Sequence, residues 1–339
     1  MSRAGIIGTG LIGASIGLAL REQGWDTLGW DRDASSLEAA AGLGAVNEVE
    51  SAEEVAGEDV DVLFLAGPLR ANIEHLEAIS TSALVTDVTS VKRPILDAVP
   101  PGMRFVGGHP LAGREHAGPS AATPALFRGA PWVICPDGGD RKDVETMASL
   151  VRSLGANPVE MSAGDHDRAI AETSHLPHLI AVALTNLVGR DPVNRDLIAG
   201  SFRDLTRVAG ADTGWWPDVL AANSDELASS LGGLVEEMEM IAGSARTADL
   251  EAMSREFESA RLHRSEMAPA LERVRVVLQD RPGELARVGH AFEKSHVDVR
   301  DLQLRHAEHG GGGILTITVR PEESAPLRSA LSQEGFETE

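Results

Sequence analysis

Short apolar runs alternate with longer amphipathic stretches through the first half of the chain. Glycines, prolines and helical patterns such as 14–22 and 70–79 separate these runs. Strands that alternate with helices form parallel sheets covered on both faces, so this half predicts a doubly wound α/β sheet. The runs with the length and composition of buried strands are 4–7, 27–30, 60–66, 83–88, 104–107, 132–135 and 158–161.

The pattern changes after residue 162, where apolar residues recur at helical spacing. We expect an all-α domain that buries helix faces against a second copy of the chain, and so a homodimer. The predicted helices are 165–188, 196–208, 214–222, 225–242 and 247–264.

The last seventy residues return to short alternating strands. The predicted order is strand, helix, strand, strand, helix and a short fourth strand at 336–339. This βαββαβ order predicts a small ferredoxin-like α+β domain. The predicted domains are 1–163, 164–268 and 272–339.

The first predicted strand leads directly into a glycine-rich turn and a helix. Gly8, Gly10 and Gly13 have the GxGxxG spacing, which permits a tight turn, close approach of a pyrophosphate and close helix packing. Asp31 ends the next strand, where a carboxylate accepts hydrogen bonds from ribose hydroxyls. The pattern predicts a Rossmann-type domain that binds a dinucleotide. The predicted cofactor-binding residues are Gly8, Thr9, Gly10, Leu11, Ile12, Gly13, Asp31, Arg32, Gly67 and Pro68.

Two adjacent residues bear on the choice of cofactor. Asp31 would repel the 2′-phosphate of NADP, which favours NAD. Arg32 would instead receive that phosphate, so NADP stays the second alternative. The position of Asp31 is also compatible with an ordinary acidic turn residue.

Polar side chains follow two of the later strands. Ser90 comes after one strand, and His109, between Gly108 and Pro110, comes after the next. Ligands of doubly wound sheets bind beyond the carboxyl ends of the strands, so both residues are candidates for the site. His109 is a candidate acid–base group, although a loop histidine that caps backbone groups fits this position equally well.

Residues 171–187 predict an unusual helix. Its second half is strongly apolar, yet Ser174, His175 and His178 stand in its first half, with Pro177 between the histidines. An interior proline removes a backbone donor and kinks a helix. We expect a kinked, mostly buried helix that is either the wall of a pocket or part of the core.

Two further residues of the helical region have alternative interpretations. Asp204 and Arg207 are three apart on one helix, where they form either a surface ion pair or an arginine held to grip a carboxylate. Trp216 lines either a pocket or a packed core.

Composition narrows the class of protein. The chain is 42% hydrophobic and 24% charged, as in globular proteins, and its net charge of −22 disfavours nucleic acid and anionic membranes as partners. No apolar run is long enough to span a bilayer, and no targeting signal precedes the first strand. Cys135 is the single cysteine, so no disulfide and no metal site are predicted. We expect a cytoplasmic protein.

Five motifs together resemble the prephenate and arogenate dehydrogenases of tyrosine biosynthesis. They are GTGLIG, TDVTSVK, GGHPLAG, SHLPH and FRDLTRVA, in the family order and across the first 265 residues. The resemblance implies NAD-dependent oxidative decarboxylation of prephenate to 4-hydroxyphenylpyruvate. It implies that His109 is the base and that Ser90 orients it. It also implies that His178 is a third catalytic residue, in the wall of the substrate or nicotinamide pocket. The substrate-binding residues that it implies are Arg207, Ser174, His175, Asp204, Trp216 and Glu115.

The C-terminal segment carries a second resemblance. The sequence DRPGEL after its first strand resembles the start of an ACT domain, a small amino-acid-sensing module. The resemblance implies feedback regulation with tyrosine as effector, through Asp280, Pro282 and Gly283. Pro282 is expected in the first helical turn. The alternative is a module that only dimerises.

Three alternatives to a prephenate dehydrogenase stay open. Arogenate differs from prephenate by one amine, and no residue distinguishes them. A β-hydroxyacid dehydrogenase would call for a lysine on the helix at 171–187, which has none. A non-catalytic regulator that senses NAD and an amino acid would not need Ser90, His109, His178 and Arg207 together.

Overall fold

The computed structural model describes residues 2–57, 59–114, 118–210, 214, 216–267, 271–306 and 312–338. The chain forms two compact units, Met1–Glu236 and Glu237–Glu339. Within the described ranges, no helix has the length and apolar character needed to cross a membrane.

An eight-stranded sheet with the order β3-β2-β1-β4-β5-β6-β7-β8 forms the centre of the first unit. The order reverses between β1 and β4, which is the point where doubly wound sheets bind ligands. The predicted Rossmann-type sheet is therefore confirmed. Its strands are β1 (Arg3–Ile7), β2 (Asp26–Trp30), β3 (Asn47–Glu48), β4 (Val62–Leu65), β5 (Leu84–Asp87), β6 (Phe105–Pro110), β7 (Pro131–Cys135) and β8 (Asn157–Glu160).

The prediction of a fully parallel sheet is wrong at one pair. β6 and β7 are antiparallel, with His109 opposite Val133, whereas β7 and β8 are again parallel. A parallel pair needs a crossover of a dozen or more residues, usually a helix. The described part of the connection from β6 to β7 contains only a short 3₁₀ turn, Pro119–Ala121. β6 also extends to Pro110, so His109 lies within the strand and not after it.

Helices cover both faces of this sheet. Side chains alternate between the faces along each strand, so Ile6 and Phe64 pack into one layer and Ile7 and Leu65 into the other. Helices α1 and α6 cover the first face, and α3, α4 and α5 cover the second. The helices are α1 (Leu11–Glu22), α2 (Ala34–Gly42), α3 (Ala52–Gly57), α4 (Leu69–Ala78), α5 (Arg93–Asp97) and α6 (Arg141–Ser153).

The predicted continuous helix at 165–188 is divided into three parts. A π-helical turn, Ala171–His175, separates two α-helices, and Pro177 lies in the first turn of the second. A proline is tolerated in a first turn because its missing N–H would have no intrahelical partner there. The remaining helical elements are α7 (Ala163–Ile170), α8 (Leu176–Gly189), α9 (Pro192–Arg195), α10 (Gly200–Thr206), a 3₁₀ turn (Arg207–Gly210), α11 (Trp216–Ala222), α12 (Ser224–Thr247) and α13 (Leu250–Met267).

The expectation that this helix is mostly buried is wrong for α8 in a single chain. Ala181 is its one buried residue among the described positions, and Leu187 is 63% exposed. The apolar face of α8 is therefore left open to solvent within one chain.

The second unit contains a three-stranded antiparallel sheet with the order β10-β11-β9. Two helices pack on one face of it around Val274, Ile317 and Leu327. The predicted fourth strand is reduced to one bridge between Val276 and Thr338, so the structure gives a small three-stranded sheet and not the complete ferredoxin-like domain. The elements are β9 (Glu272–Leu278), α14 (Glu284–Ser295), β10 (Asp301–His306), β11 (Gly313–Val319) and α15 (Pro321–Gln333).

The start of α14 differs from the prediction. Pro282 was expected in the first helical turn, but it precedes the N-cap residue Gly283. Gly283 has a φ of +90°, a left-handed conformation that glycine adopts without steric cost.

Candidate active site

The glycine turn after β1 brings backbone close to backbone. Gly8 has a φ of +98°, and a Cβ atom there would lie 2.6 Å from the carbonyl carbon of Ala66 in the turn after β4. A Cβ at Gly13 would lie 1.9 Å from the carbonyl oxygen of Gly8. In contrast, a Cβ at Gly10 would meet no atom within 4 Å. Gly8 and Gly13 therefore shape the turn, and Gly10 leaves open space in front of it.

The carboxylate of Asp31 fastens the end of β2 to this turn. Its Oδ2 accepts hydrogen bonds from the backbone N–H of Thr9 at 2.6 Å and from the Thr9 hydroxyl at 3.2 Å. Arg32 turns toward Glu74, at 3.7 Å, and its side chain is 80% exposed. The structure thus places a carboxylate, and not the guanidinium, against the glycine turn.

A cavity of about 550 Å³ opens at the carboxyl ends of β1, β4 and β5. Gly67 is fixed at its rim by the buried amide of Asn72, which accepts from the Gly67 N–H and donates to its carbonyl. An open glycine turn at the N-terminus of α1 fits the pyrophosphate of a dinucleotide. The predicted cofactor-binding residues that line the cavity are Gly10, Leu11, Ile12, Gly67 and Pro68.

A second cavity of about 320 Å³ adjoins the first. Ser90 and His109 line both cavities, so the two spaces meet at these side chains. The structure therefore brings the strand-end residues of β5 and β6 together with residues of the helical region. The helical residues predicted for the site that line the second cavity are Ser174, His175 and Trp216.

Behind His109 lies a chain of buried polar groups. The Nδ1 atom of His109 is 2.9 Å from Nε2 of His166, and Nδ1 of His166 is 2.8 Å from the Asp167 carboxylate. The Asp167 carboxylate also accepts from the backbone N–H groups of Lys92 and Arg93. The sequence alone did not indicate His166 and Asp167 as site residues. His166 is 57 positions from His109 in the sequence, and only the fold brings the two side chains together.

A buried ion pair supports the strand that carries His109. The Lys92 ammonium contacts the Asp87 carboxylate, and both side chains are fully buried. The ammonium also donates to the Gly108 carbonyl at 2.6 Å, and the Gly108 N–H donates to Asp87 at 3.1 Å. These charge-assisted bonds fix the backbone of β6 next to His109. Lys92 and Asp87 belong to the TDVTSVK motif around Ser90. The motif did not indicate that they form a buried ion pair, because lysines are rarely buried.

The surroundings of His109 keep its imidazole neutral. Burial and the positive charge of Lys92, followed by His166 and His175, lower the pKa of His109 well below its usual 6.5. A neutral imidazole at physiological pH can accept a proton, which is what a general base requires.

His175, a residue of the second cavity's wall, contains a buried polar atom without a partner among the described residues. The Asn223 amide nitrogen, which can only donate, lies 3.4 Å from its Nδ1, so the ring proton belongs on Nε2. That Nε2 has no hydrogen-bond partner among the described residues, although His175 is buried. Burial, partly offset by Asp167, lowers the pKa of His175 to about 4. His175 is therefore a neutral residue of the cavity wall whose buried Nε2–H has no partner among the described residues.

His178 packs between its own helix and an aromatic side chain. Its Nδ1 lies 3.2 Å from the Ser174 carbonyl, and its ring lies 4.1 Å from the Trp216 ring. The His175 ring also meets Trp216, edge to face at 5.8 Å. The predicted pair of histidines is thus arranged around one tryptophan.

Three predicted substrate-binding residues are not placed in the site by these contacts. Asp204 ends up in α10 and Arg207 in the following 3₁₀ turn, both exposed, and neither is among the described residues that line the two cavities. Glu115 lies outside the described residues. Their roles stay predictions.

Two family profiles match consecutive parts of the chain. Residues 16–160 match "Prephenate dehydrogenase, nucleotide-binding domain", and residues 162–259 match "Prephenate dehydrogenase, dimerization domain". The first match confirms the predicted nucleotide-binding domain. The segment from residue 272 onward lies beyond both matches.

Known proteins resemble the chain over most of its length. Probable prephenate dehydrogenase NovF of Streptomyces niveus is 33% identical, with 98% of each chain covered. Prephenate dehydrogenase of Bacillus subtilis is 27% identical over 94% of this chain and 92% of its own.

Solved structures show the same fold. Prephenate dehydrogenase from Aquifex aeolicus, in complex with hydroxyphenyl propionate and NAD+, superposes with a TM-score of 0.71 and 27% identity, over 79% of this chain and 99% of its own. Synechocystis arogenate dehydrogenase gives 0.68 and 26%, over 78% and 100%. The chain is a member of the prephenate dehydrogenase family.

Proposed function

We propose that the chain catalyses the NAD-dependent oxidative decarboxylation of prephenate to 4-hydroxyphenylpyruvate. The observation that carries this proposal is the meeting of two cavities at Ser90 and His109. One cavity is bordered by the glycine turn and suits a dinucleotide, and the other suits a small polar substrate. The family membership and the NAD+ held by the Aquifex aeolicus relative support the same reaction.

His109 acts as the base in this proposal. When bound, NAD accepts the hydride from the ring carbon that bears the hydroxyl group. His109 takes the hydroxyl proton as that carbon becomes carbonyl-like, and Ser90 orients His109. Carbon dioxide then leaves, its bonding electrons complete the aromatic ring, and the phenol oxygen regains a proton. Aromatisation drives the loss of carbon dioxide, so no residue is assigned to that step.

Two residues are proposed to bind the anionic ends of the substrate. His175 lines the second cavity, and its neutral Nε2–H, which has no partner among the described residues, fits a carboxylate or carbonyl oxygen. Arg207 is proposed to grip a carboxylate, with Asp204 orienting it, on the strength of the FRDLTRVA motif. Trp216 lines the cavity from the helical side, and His178, which is not among the described lining residues, packs against the Trp216 ring.

The test of the proposed function is NADH formation with prephenate and with arogenate in parallel. Turnover of prephenate is the expected result. Turnover of arogenate alone would keep the chemistry but change the substrate, as in the Synechocystis relative. A protein that binds NAD and turns over neither compound would contradict the proposal and favour a regulator.

We infer that the C-terminal segment senses tyrosine and regulates the enzyme. The support is its order of strands and helices and the DRPGEL sequence, where Asp280, Pro282 and Gly283 are exposed ahead of α14. The backbone N–H groups at that helix start suit a carboxylate.

Truncation after Glu266 tests this regulatory proposal. The shortened enzyme is expected to keep its turnover and to lose any response to tyrosine. If the shortened enzyme is still inhibited, tyrosine acts at the active site and the regulatory proposal is wrong.

A further inference from the structure

We propose that His166 is a positioning residue that holds His109 in the tautomer with a proton on Nδ1 and a bare Nε2. The inference rests on the proposed function, because it concerns how His109 is prepared to act as a base. It follows from the direction of two consecutive hydrogen bonds, from His166 to Asp167 and from His109 to His166, which the Asp167 carboxylate determines.

The chain of bonds begins at Asp167. Its Oδ1 accepts from the backbone N–H of Lys92 at 2.7 Å, and its Oδ2 accepts from that of Arg93 at 2.9 Å. Burial opposes the charge, but the hydrogen bonds from His166 and the two backbone groups lower the pKa of Asp167 below its usual value. An ionised carboxylate can only accept. Nδ1 of His166, at 2.8 Å, must therefore be the donor.

The second step is His166 itself, which is completely buried. A neutral imidazole that carries its proton on Nδ1 has a lone pair on Nε2. That Nε2 lies 2.9 Å from Nδ1 of His109, so the proton between the rings belongs to His109. The two rings meet nearly at right angles, at 80°, which directs the edge of one ring toward the other.

The third step leaves His109 ready to react. With its proton on Nδ1, its Nε2 carries the lone pair, and the ring borders both cavities. The opposite direction of bonds would put the proton on Nε2, and His109 would have no lone pair for the substrate hydroxyl. After His109 takes the hydroxyl proton, its imidazolium still donates through Nδ1 to His166, which Asp167 backs with its negative charge. His109, His166 and Asp167 thus form a chain of three groups. As in a catalytic triad, a carboxylate determines the tautomer of the base, here through a second histidine.

The direct test is nitrogen NMR of the protein labelled with ¹⁵N-histidine at neutral pH. Two-bond correlations between ring nitrogens and carbon-bound protons distinguish the two tautomers. The expected result is a protonated Nδ1 and a bare Nε2 for His109, assigned by loss of its signals in His109→Asn. A proton on Nε2 would overturn the proposal. This measurement does not depend on the substrate. The tautomer proposal can therefore be wrong while prephenate is turned over, and it can be right while prephenate is not turned over.

A pair of variants tests the consequence for catalysis. His166→Phe keeps a ring of similar size but removes the acceptor, and His166→Gln keeps an amide oxygen for His109 and an amide N–H for Asp167. We expect kcat to fall by about 100-fold or more in His166→Phe, with KM for prephenate and NAD nearly unchanged. His166→Gln is expected to recover much of this loss and to restore the Nδ1 tautomer.

A merely structural role gives the opposite order, because phenylalanine fills the buried space better than glutamine does. Equal kcat values for the two variants, or a better His166→Phe, would overturn the proposal. If His166→Phe does not fold, the spectrum of the unaltered protein and the kcat of His166→Gln still decide it. A His166→Gln enzyme without the Nδ1 tautomer but with full kcat would also contradict it.

Discussion

His109 lies where the cofactor cavity meets the substrate cavity, and its neighbours set both its charge and its orientation. Lys92 keeps positive charge nearby, which makes a second cation on the ring unfavourable. Lys92 also binds the carbonyl of Gly108, so the same side chain fixes the strand that carries the base. Burial is the main reason that His109 is neutral, and Lys92 contributes both to that neutrality and to the geometry of β6.

The pH dependence of kcat/KM follows from the neutral state of His109. Its pKa is lowered, so the active form persists through neutral pH, and kcat/KM should fall only in acid, below the ordinary pKa of 6.5. The measurement is the kcat/KM profile for prephenate between pH 5 and 9. An acid limb centred at 6.5 or above would assign the base to another group.

The stability of the folded chain has to be measured over the same pH range as kcat/KM. The pKa of His175 is about 4 in the folded chain and about 6.5 when unfolded, so between these values the unfolded chain binds more protons. Stability contributed by this residue is present above pH 6.5 and is lost as the pH falls through that window. His109, whose pKa is also lowered, contributes to the same loss. Thermal melts at each pH therefore show how much of the fall in kcat/KM is due to unfolding.

Single residues differ in how far sequence could predict them. Gly8, Gly10 and Asp31 follow from a local motif whose spacing encodes their contacts. His166 could not be predicted, because its contact with His109 spans 57 positions and depends on the packing of α7 against the sheet. The burial of Lys92 could not be predicted either, because a lysine is buried only where the fold supplies a charged partner such as Asp87.

In the turn from β1 into α1, one glycine is needed for the fold and another for cofactor binding. Gly13 touches the backbone of its own turn, whereas Gly10 faces open space. We expect Gly13→Ala to lower the melting temperature, because its methyl group would overlap the Gly8 carbonyl. Gly10→Ala should melt like the unaltered protein but bind NAD at least tenfold more weakly, because its methyl group would occupy the space of the pyrophosphate.

Thermal melts and NAD titrations of both variants check this separation. Gly24→Ala is not a suitable control because of its positive φ, but Gly42→Ala in α2 has open space and an ordinary φ. It should change neither quantity. Normal NAD affinity in Gly10→Ala would place the cofactor elsewhere.

Element types were predictable, but two of their relations were not. Alternating strands and helices indicated the doubly wound sheet, yet β7 is antiparallel to β6. The described part of the connection between them contains one 3₁₀ turn and no crossover helix. The apolar run of α8 suggested burial, yet within one chain it stays exposed. A sequence pattern records that a face is apolar and does not record which molecule covers it.

For the whole molecule, exposed apolar side chains on α8 and on the residues that follow it predict an assembly. Leu187, Val193, Leu197 and Leu205 are between 63% and 75% exposed, and all lie in the part that matches the dimerization domain. Exposed apolar patches of this kind mark interaction sites. We expect a homodimer in solution, with twice the chain mass of 35.8 kDa.

Sedimentation velocity tests the dimer. Leu187→Asp combined with Leu205→Asp should shift the protein toward the monomer, because dimerisation would then bury carboxylates without partners. Leu43→Asp alters a leucine that is 48% exposed on the nucleotide-binding part, and it should leave the dimer intact. A monomeric unaltered protein at micromolar concentration would contradict the assembly.

In the proposed mechanism, His109 is the single base in a coupled oxidation and decarboxylation. The most direct test compares NADH formed with carbon dioxide released from carboxyl-labelled prephenate, in the unaltered enzyme and in His109→Asn. The account predicts equal amounts of both products, and a loss of both together by about 100-fold or more in His109→Asn, with NAD binding and the fold retained. His263→Asn, on the exposed helix α13, is the matched control and should behave like the unaltered enzyme. NADH without carbon dioxide, or near-normal turnover in His109→Asn, would contradict the account.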